Sequence, residues 1–293
     1  MKKILYTSFM VLTLVFITPN VNAEETIYYT NYENIQMTES EYNNLLQLGF
    51  TEDEIYQMNY QTFVDNKDLN ATLVSETTKY YKTTTVTKNG VSTSTTDVVT
   101  KAQYEQGVQE EKVARSGSFY DGIVETNYKL MRTNISQISE YQYRYKVTLD
   151  WTTIPSTRSH DIIGLGFQQA LVQLNSSVHF QQNYTYSTGS STSSVACVPL
   201  SGTMGGSAVF KLPTGSLSKL SSMLYYNVRK ADDNFTVTQM HAGGDYSHAT
   251  STISESMAQR HSVNHATGIE LQASIEDYYD AINVATASWY GTW

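Results

Sequence analysis

A single cysteine in 293 residues excludes a disulfide framework. With no Cys-x-x-Cys pair and no Cys/His spacing, a structural zinc site is excluded as well. Lysine and arginine number 19 against 28 acidic residues, and they form no block. Phosphate neutralisation needs clustered cations, which argues against nucleic acid as a partner. No G-x-S-x-G elbow and no H-E-x-x-H occurs, so neither a serine hydrolase of that type nor a zincin is indicated. Glu110-Glu111 and Glu276-Asp277 are adjacent pairs and give no glycosidase geometry. Charged residues make up only 16% of the chain, but 40% are hydrophobic, enough to bury a core and to exclude wholesale disorder.

What is present begins with an address. Lys2 and Lys3 precede the apolar run from Ile4 to Ile17, followed by Pro19 and the small-residue site Val21-Asn22-Ala23. This reads as a secretory signal peptide cleaved after Ala23. The run is short of the about 20 apolar residues that span a bilayer, and no second one follows, so no stable membrane anchor is expected. Cleavage removes two lysines and no acid, taking the formal charge from −9 to −11.

Residues 24–70 read as a small helical segment. Thr38 with Glu41 and Thr51 with Glu54 are capping boxes, in which hydroxyl and carboxylate satisfy orphan backbone N–H groups reciprocally. Leu45, Leu46 and Leu48 continue the first helix and Gly49 ends it. Tyr60, Phe63 and Val64 mark a third. From about residue 71 the period changes to two. Tyr80 to Val99 predicts a hairpin about Asn89-Gly90, but Thr83–Thr87 and Val91–Thr96 place hydroxyls on both faces, which puts it at a rim or on a projecting arm. Tyr143, Tyr145, Val147, Leu149 and Trp151 alternate with Arg144, Lys146, Thr148 and Asp150, predicting one buried and one wet face. Tyr225–Val228 and Phe235–Met240 read as a pair turned at Ala231–Asn234. Thr185–Ser207, rich in Ser, Thr and Gly around Cys197, reads as a surface loop. The expected fold is mainly β: an antiparallel β-sandwich over 71–293, preceded by the helical segment.

Trp151 to Gly164 reads W-T-T-I-P-S-T-R-S-H-D-I-I-G. This stretch, and Tyr42 to Asp65, resemble segments of secreted β-rich proteins of Gram-positive bacteria to which no activity is assigned. The resemblance implies a secreted β-rich protein and transfers no catalytic residue. In the first stretch Arg158 and Asp161 are close enough to pair across the turn that Pro155 begins.

Four of six histidines lie between 241 and 265. His241, Asp245 and His248 flank Gly243-Gly244 and are the candidate metal ligands. His261 and His265 could share zinc on a helix, but on a strand they stand about 13 Å apart. Cys197 lacks the flanking signature of a cysteine protease, so no catalytic residue and no cofactor is assigned. Tyrosine is in excess at 23. Adjacent aromatics on a strand cannot both face one core, which makes Tyr225, Tyr226, Trp289 and Trp293 the candidate binding residues. The expectation is a secreted, non-enzymatic binding or interaction protein at or outside the bacterial surface, with a glycan or surface protein as ligand. The alternatives are a pore-forming or oligomerising protein that uses the 80–99 hairpin, and a metal-dependent hydrolase built on the 241–265 histidines.

Overall fold

The computed structural model describes residues 26–88, 91–114, 123–168, 170–202, 204–264 and 268–293. The cleavage point after Ala23, the Asn89-Gly90 turn and His265 lie outside the described residues. A ribbon of β1 (Tyr29–Thr30) and β2 (Gln36–Met37) leads into three short helices, α1 (Glu39–Gln47), α2 (Glu52–Tyr56) and α3 (Tyr60–Asn66). Both capping boxes are made, with each Thr hydroxyl accepting from the Glu N–H and each Glu carboxylate from the Thr N–H. Gly49 follows α1 at φ 81°, the left-handed conformation that glycine adopts without strain.

Next come β3 (Thr72–Lys88), β4 (Val91–Val99), α4 (Lys101–Ala114), β5 (Ile123–Ser139) and β6 (Gln142–Trp151). They are followed by β7 (His160–Phe167), β8 (Leu171–Gln173), β9 (His179–Tyr186), β10 (Ser191–Ser194), β11 (Val198–Gly202) and β12 (Gly205–Lys211). The last part holds β13 (Leu217–Lys230), β14 (Gln239–Ala249), α5 (Glu255–Ala258), β15 (His261–Asn264), β16 (Gly268–Leu271), β17 (Tyr279–Ala281) and β18 (Ala285–Tyr290). An eight-stranded antiparallel sheet has the order β10-β9-β13-β6-β5-β3-β4, with β8 also on β13. A six-stranded antiparallel sheet has the order β11-β12-β7-β14-β17, with β18 also on β14.

The two sheets stack as a sandwich. Tyr145, Val147 and Tyr226 of the larger meet Ile163, Leu165 and Tyr246 of the smaller in one core. Gly244 sits where the sheets approach closely, for a Cβ there would lie 2.3 Å from Thr133 Oγ1 and 2.6 Å from Val147 Cγ2. Buried polar groups also cross the gap. Lys129 Nζ donates to Asp280 at 2.7 Å and lies 4.7 Å from the Trp151 ring. Within the smaller sheet, Asp161 of β7 accepts from the Tyr246 hydroxyl and from the Ala249 N–H of β14, and His248 Nδ1 meets it at 2.9 Å.

Four expectations need correction. The second face of β6 is not wet: Arg144, Lys146 and Thr148 are buried beneath the helical segment, whose Leu45, Leu48, Phe50, Ile55 and Met58 pack with Met223 and Tyr225. The β13 and β14 stretches are not paired with each other, because the 231–238 connection carries the chain from one sheet to the other. Thr185–Ser207 is not a loop throughout, since β10 and β11 lie in it at the sheet edges, where Thr185 and Ser191 hydroxyls bond across strands at 2.8 Å. Finally, α4 was not expected at all. Among its described side chains, the apolar ones packed on the body are Tyr104 and Val108, against Tyr128, too sparse to register as a period. Its signal is the capping box Thr100-x-x-Gln103, in which both reciprocal bonds form. The 80–99 hairpin is a rim, as expected, with β4 at the edge of the larger sheet.

The helical layer is tied down by one buried ion pair. Lys146 Nζ reaches both oxygens of Glu54 at 2.8 Å, donates to Thr148 Oγ1 at 2.7 Å and to Gly49 O at 3.1 Å, and lies over the Phe50 ring. Thr148 Oγ1 donates to Glu54 at 2.6 Å. Burial pushes the Glu54 carboxyl up, and Lys146 with its neighbours more than reverses this, leaving it below the ordinary carboxylate range. Removing one partner strands the other charge. Lys146→Met is therefore expected to cost about 3–5 kcal/mol in urea unfolding, and adding Glu54→Leu to restore most of it. A double variant as unstable as the single one would contradict this account.

Candidate functional site

Two clefts open where the helical layer meets the outer face of the larger sheet. The first, with a volume of about 520 Å³, is walled by α2 on one side and floored by β5, β6, β13 and β9. Strand register builds the floor: Leu130 pairs with Asp150, Asp150 with Ser221, and Ser221 with Asn183. These four side chains therefore form one rung across the sheet, on the face opposite the sandwich core. Arg132 donates to Asp150 from two residues along β5. Burial outweighs that guanidinium and pushes the Asp150 carboxyl up to about 6. Lys219 and Asp53 pair at 3.0 Å, both well exposed. Two buried atoms of cleft residues, the acceptor Gln57 Oε1 and the donor Arg132 Nε, find no partner in the protein among the described residues. Such orphaned groups are costly unless something else satisfies them.

The second cleft, about 320 Å³, lies at the α3 side of the same layer and is lined by Asp65, Arg144, Ser176, His179, Tyr225 and Asn227 among others. Arg144 is 4% exposed. Its Nε donates to Asn227 Oδ1 at 3.0 Å, its Nη1 to Asn66 Oδ1, and its guanidinium lies 4.4 Å from the Tyr225 ring centroid.

The candidate binding aromatics do not form one surface. Tyr226 is fully buried between the sheets and donates its hydroxyl to Leu165 O. Tyr225, its neighbour, points the other way, under the helical layer, stacked on His179 at 4.8 Å. Both faces of β13 are covered at this point, which is why adjacent tyrosines need not mean exposure. Trp289 and Trp293 are half-buried around Tyr143 at 5.8 and 4.7 Å, and Trp293 Nε1 donates to Glu140 O at 2.7 Å.

Arg158 and Asp161 do not pair. Arg158 donates to the carbonyls of Pro155, Pro213 and Gly215, while Asp161 turns inward to Tyr246, His248 and Ala249. The candidate metal ligands do not converge, and no group of three ligating side chains occurs among the described residues. All three lie on β14, so His241 and His248 are roughly 23 Å apart along it and on opposite faces. His241 meets Ser288 Oγ at 2.9 Å, and Asp245 accepts from Ile269 N and Tyr246 N, each at 2.6 Å. Cys197 is half-buried, with its thiol pushed up to about 11 by burial, which makes it unreactive at neutral pH.

One constellation has no motif in the sequence. His261 Nε2 lies 2.7 Å from Ser207 Oγ, and its Nδ1 lies 2.8 Å from Ala258 O. The hydroxyl is sealed under β15, with Ser207 only 1% exposed, so the contact holds the β15–β16 ribbon on the smaller sheet.

No family model matches the chain, and no curated protein does. The pilus backbone RrgB of Streptococcus pneumoniae is 7% identical with a TM-score of 0.29, over 52% of this chain and 72% of that one. The collagen-binding domain of the Erysipelothrix rhusiopathiae surface protein RspB is 7% identical with a TM-score of 0.24, over 59% of this chain and 72% of that one. At these values neither likeness carries a fold or a function over, and the clefts themselves have to support the functional reading. No helix among the described residues is long and apolar enough to cross a membrane.

The Asp245 carboxyl is pushed up to about 7 by burial, against its two backbone N–H bonds. An unfolded Asp titrates near 3.9, so between roughly pH 4 and 7 the native state holds a proton that the unfolded state has lost. The stability this gives is complete below about pH 4 and is lost as pH rises through 7. Asp245→Asn is expected to flatten that part of the melting-temperature profile between about pH 4 and 8. A slope identical to that of the unsubstituted protein would show that Asp245 does not titrate there.

Proposed function

We propose that the protein is a secreted, non-enzymatic binding protein that takes a neutral glycan in the first cleft. The observation that carries this is the polar rung that floors the open cleft, where the carboxylate of Asp150, the amide of Asn183 and the hydroxyl of Ser221 stand side by side. Sugar hydroxyls both donate and accept, and a set of fixed planar donors and acceptors suits them. Leu130 supplies the apolar contact that the C–H face of a sugar ring requires. The lining charges nearly cancel: Glu52, Glu54, Asp53 and Asp150 stand against Arg132 and Lys219, with Lys146 neutralising Glu54 from below. An uncharged ligand fits that balance.

The pore-forming alternative asks the 80–99 hairpin to leave the sandwich. Thr83 and Thr96 both donate to Asp280, and the Tyr81 hydroxyl donates to Asn283 O, so the hairpin is anchored at several polar points. These anchors support the binding reading.

Labelled mature protein is expected to bind a subset of neutral glycans on an array, and calorimetry with those glycans to show about tenfold weaker binding for Asn183→Ala, the loss of one hydrogen bond to ligand. The protein is also expected to be retained by cell walls without releasing dye from liposomes. Absence of glycan binding, or full affinity in the Asn183 variant, would refute the cleft as the site.

A further inference from the structure

We propose that the second cleft, over Tyr225, is a carboxylate-binding site in which Arg144 neutralises the ligand. The observation is a buried cation with no carboxylate in contact, on which Asp65 acts only through space. Lys129 and Lys146, the other deeply buried cations described, each touch a carboxylate at 2.7–2.8 Å. Arg144 touches only neutral groups: the amide oxygens of Asn227 and Asn66 and the face of Tyr225. Buried charges are ordinarily paired, because the cost of leaving water is otherwise unrecovered.

The arrangement holds the guanidinium in place and leaves one edge of it open. Nε and Nη1 are taken by the two asparagines, and Nη2 has no partner among the described residues. The Tyr225 ring beneath it is fixed from both ends, since its hydroxyl accepts from Asn66 Nδ2 at 2.9 Å and its far face stacks on His179. His179 is itself held by Thr62 Oγ1 at 3.0 Å. Beside this edge are the Asn227 side chain and, at the exposed mouth, Ser176. A guanidinium pairs with carboxylates and tetrahedral oxyanions alike, and the acidic Asp65 among the lining residues repels a doubly charged anion such as sulfate more than a singly charged carboxylate, which selects the carboxylate. The acid at the mouth, Asp65, is exposed, accepts from Gln61 Nε2 at 2.7 Å, and forms no ion pair with Arg144. It acts as a like-charge rim that an anionic ligand has to pass.

The test is calorimetry and thermal shift on the mature protein at constant ionic strength. The probes are sodium glucuronate and sodium acetate, with glucose, sodium sulfate and sodium chloride as controls. Saturable binding of both carboxylates, but not of glucose or chloride, is expected. Tighter binding of glucuronate than acetate assigns an acidic sugar, and equal binding assigns the bare carboxylate. Arg144→Gln is expected to abolish the effect. Because that variant risks misfolding, Asp65→Asn is the second arm. Its residue is exposed, and removing the repulsion is expected to tighten binding roughly threefold. Asn183→Ala, in the other cleft, is expected to leave carboxylate binding unchanged, so that the two sites fail separately. The proposal is overturned if carboxylates act no differently from chloride, if sulfate binds as tightly, or if a folded Arg144→Gln still binds. It is also overturned if Asp65→Asn lowers the melting temperature without altering affinity, for Asp65 is then the counter-ion of Arg144.

Discussion

The contact between Lys146 and Glu54 decides what the outer face of the larger sheet is. A lysine projecting from the middle of β6 would ordinarily mark a solvated surface, but here Glu54, held at the start of α2 by its capping box with Thr51, brings a carboxylate over it. Glu54 thus serves twice, capping a five-residue helix and neutralising a cation 92 residues away. Such a pair is costly to bury and adds little net stability over an apolar pair, but it tolerates little sliding once made. The helical layer is therefore fixed in register against the strands, and both clefts exist because its two margins stop short of covering the sheet.

Between the sheets the same principle recurs with different partners. Lys129 with Asp280, and Asp161 with His248 and Tyr246, are polar groups in an otherwise apolar core, and each is satisfied from the opposite sheet or a neighbouring strand. Thr83 and Thr96 bond to Asp280 as well. The threonine-rich hairpin, whose two-sided polarity left its orientation open, is oriented by this carboxylate. Lys129 and Lys146 are each neutralised within the protein, which is what makes Arg144 stand apart.

Much of the local structure was legible. The capping boxes named the first two helices because the hydrogen bonds they describe are made within four residues. The alternation in β6 named a strand and the side of it that faces the core. Long-range features were less legible. The wet face assigned to Arg144 and Lys146 was covered by a segment about a hundred residues earlier, and adjacency of Tyr225 and Tyr226 was no guide to exposure once both faces of β13 were buried at that point. Arg158 and Asp161, close in sequence, found partners elsewhere because β7 directs position 161 into the core. The strand β14 separated the histidines and the aspartate that proximity in sequence had grouped, since an extended backbone advances about 3.3 Å per residue and alternates faces. Neither cleft was visible in advance, for their lining comes from strands that are neighbours only in the sheet.

Sequence alone determined the class of fold, the helical start and the strand periods, because these depend on hydrogen bonds and side-chain spacing within a few residues. Tertiary structure alone decided which charged groups are buried, which of them are paired, and where open space remains. Those outcomes depend on which strands become neighbours and on what covers each face, and a dielectric environment belongs to a place in the folded chain, which no single stretch of sequence specifies.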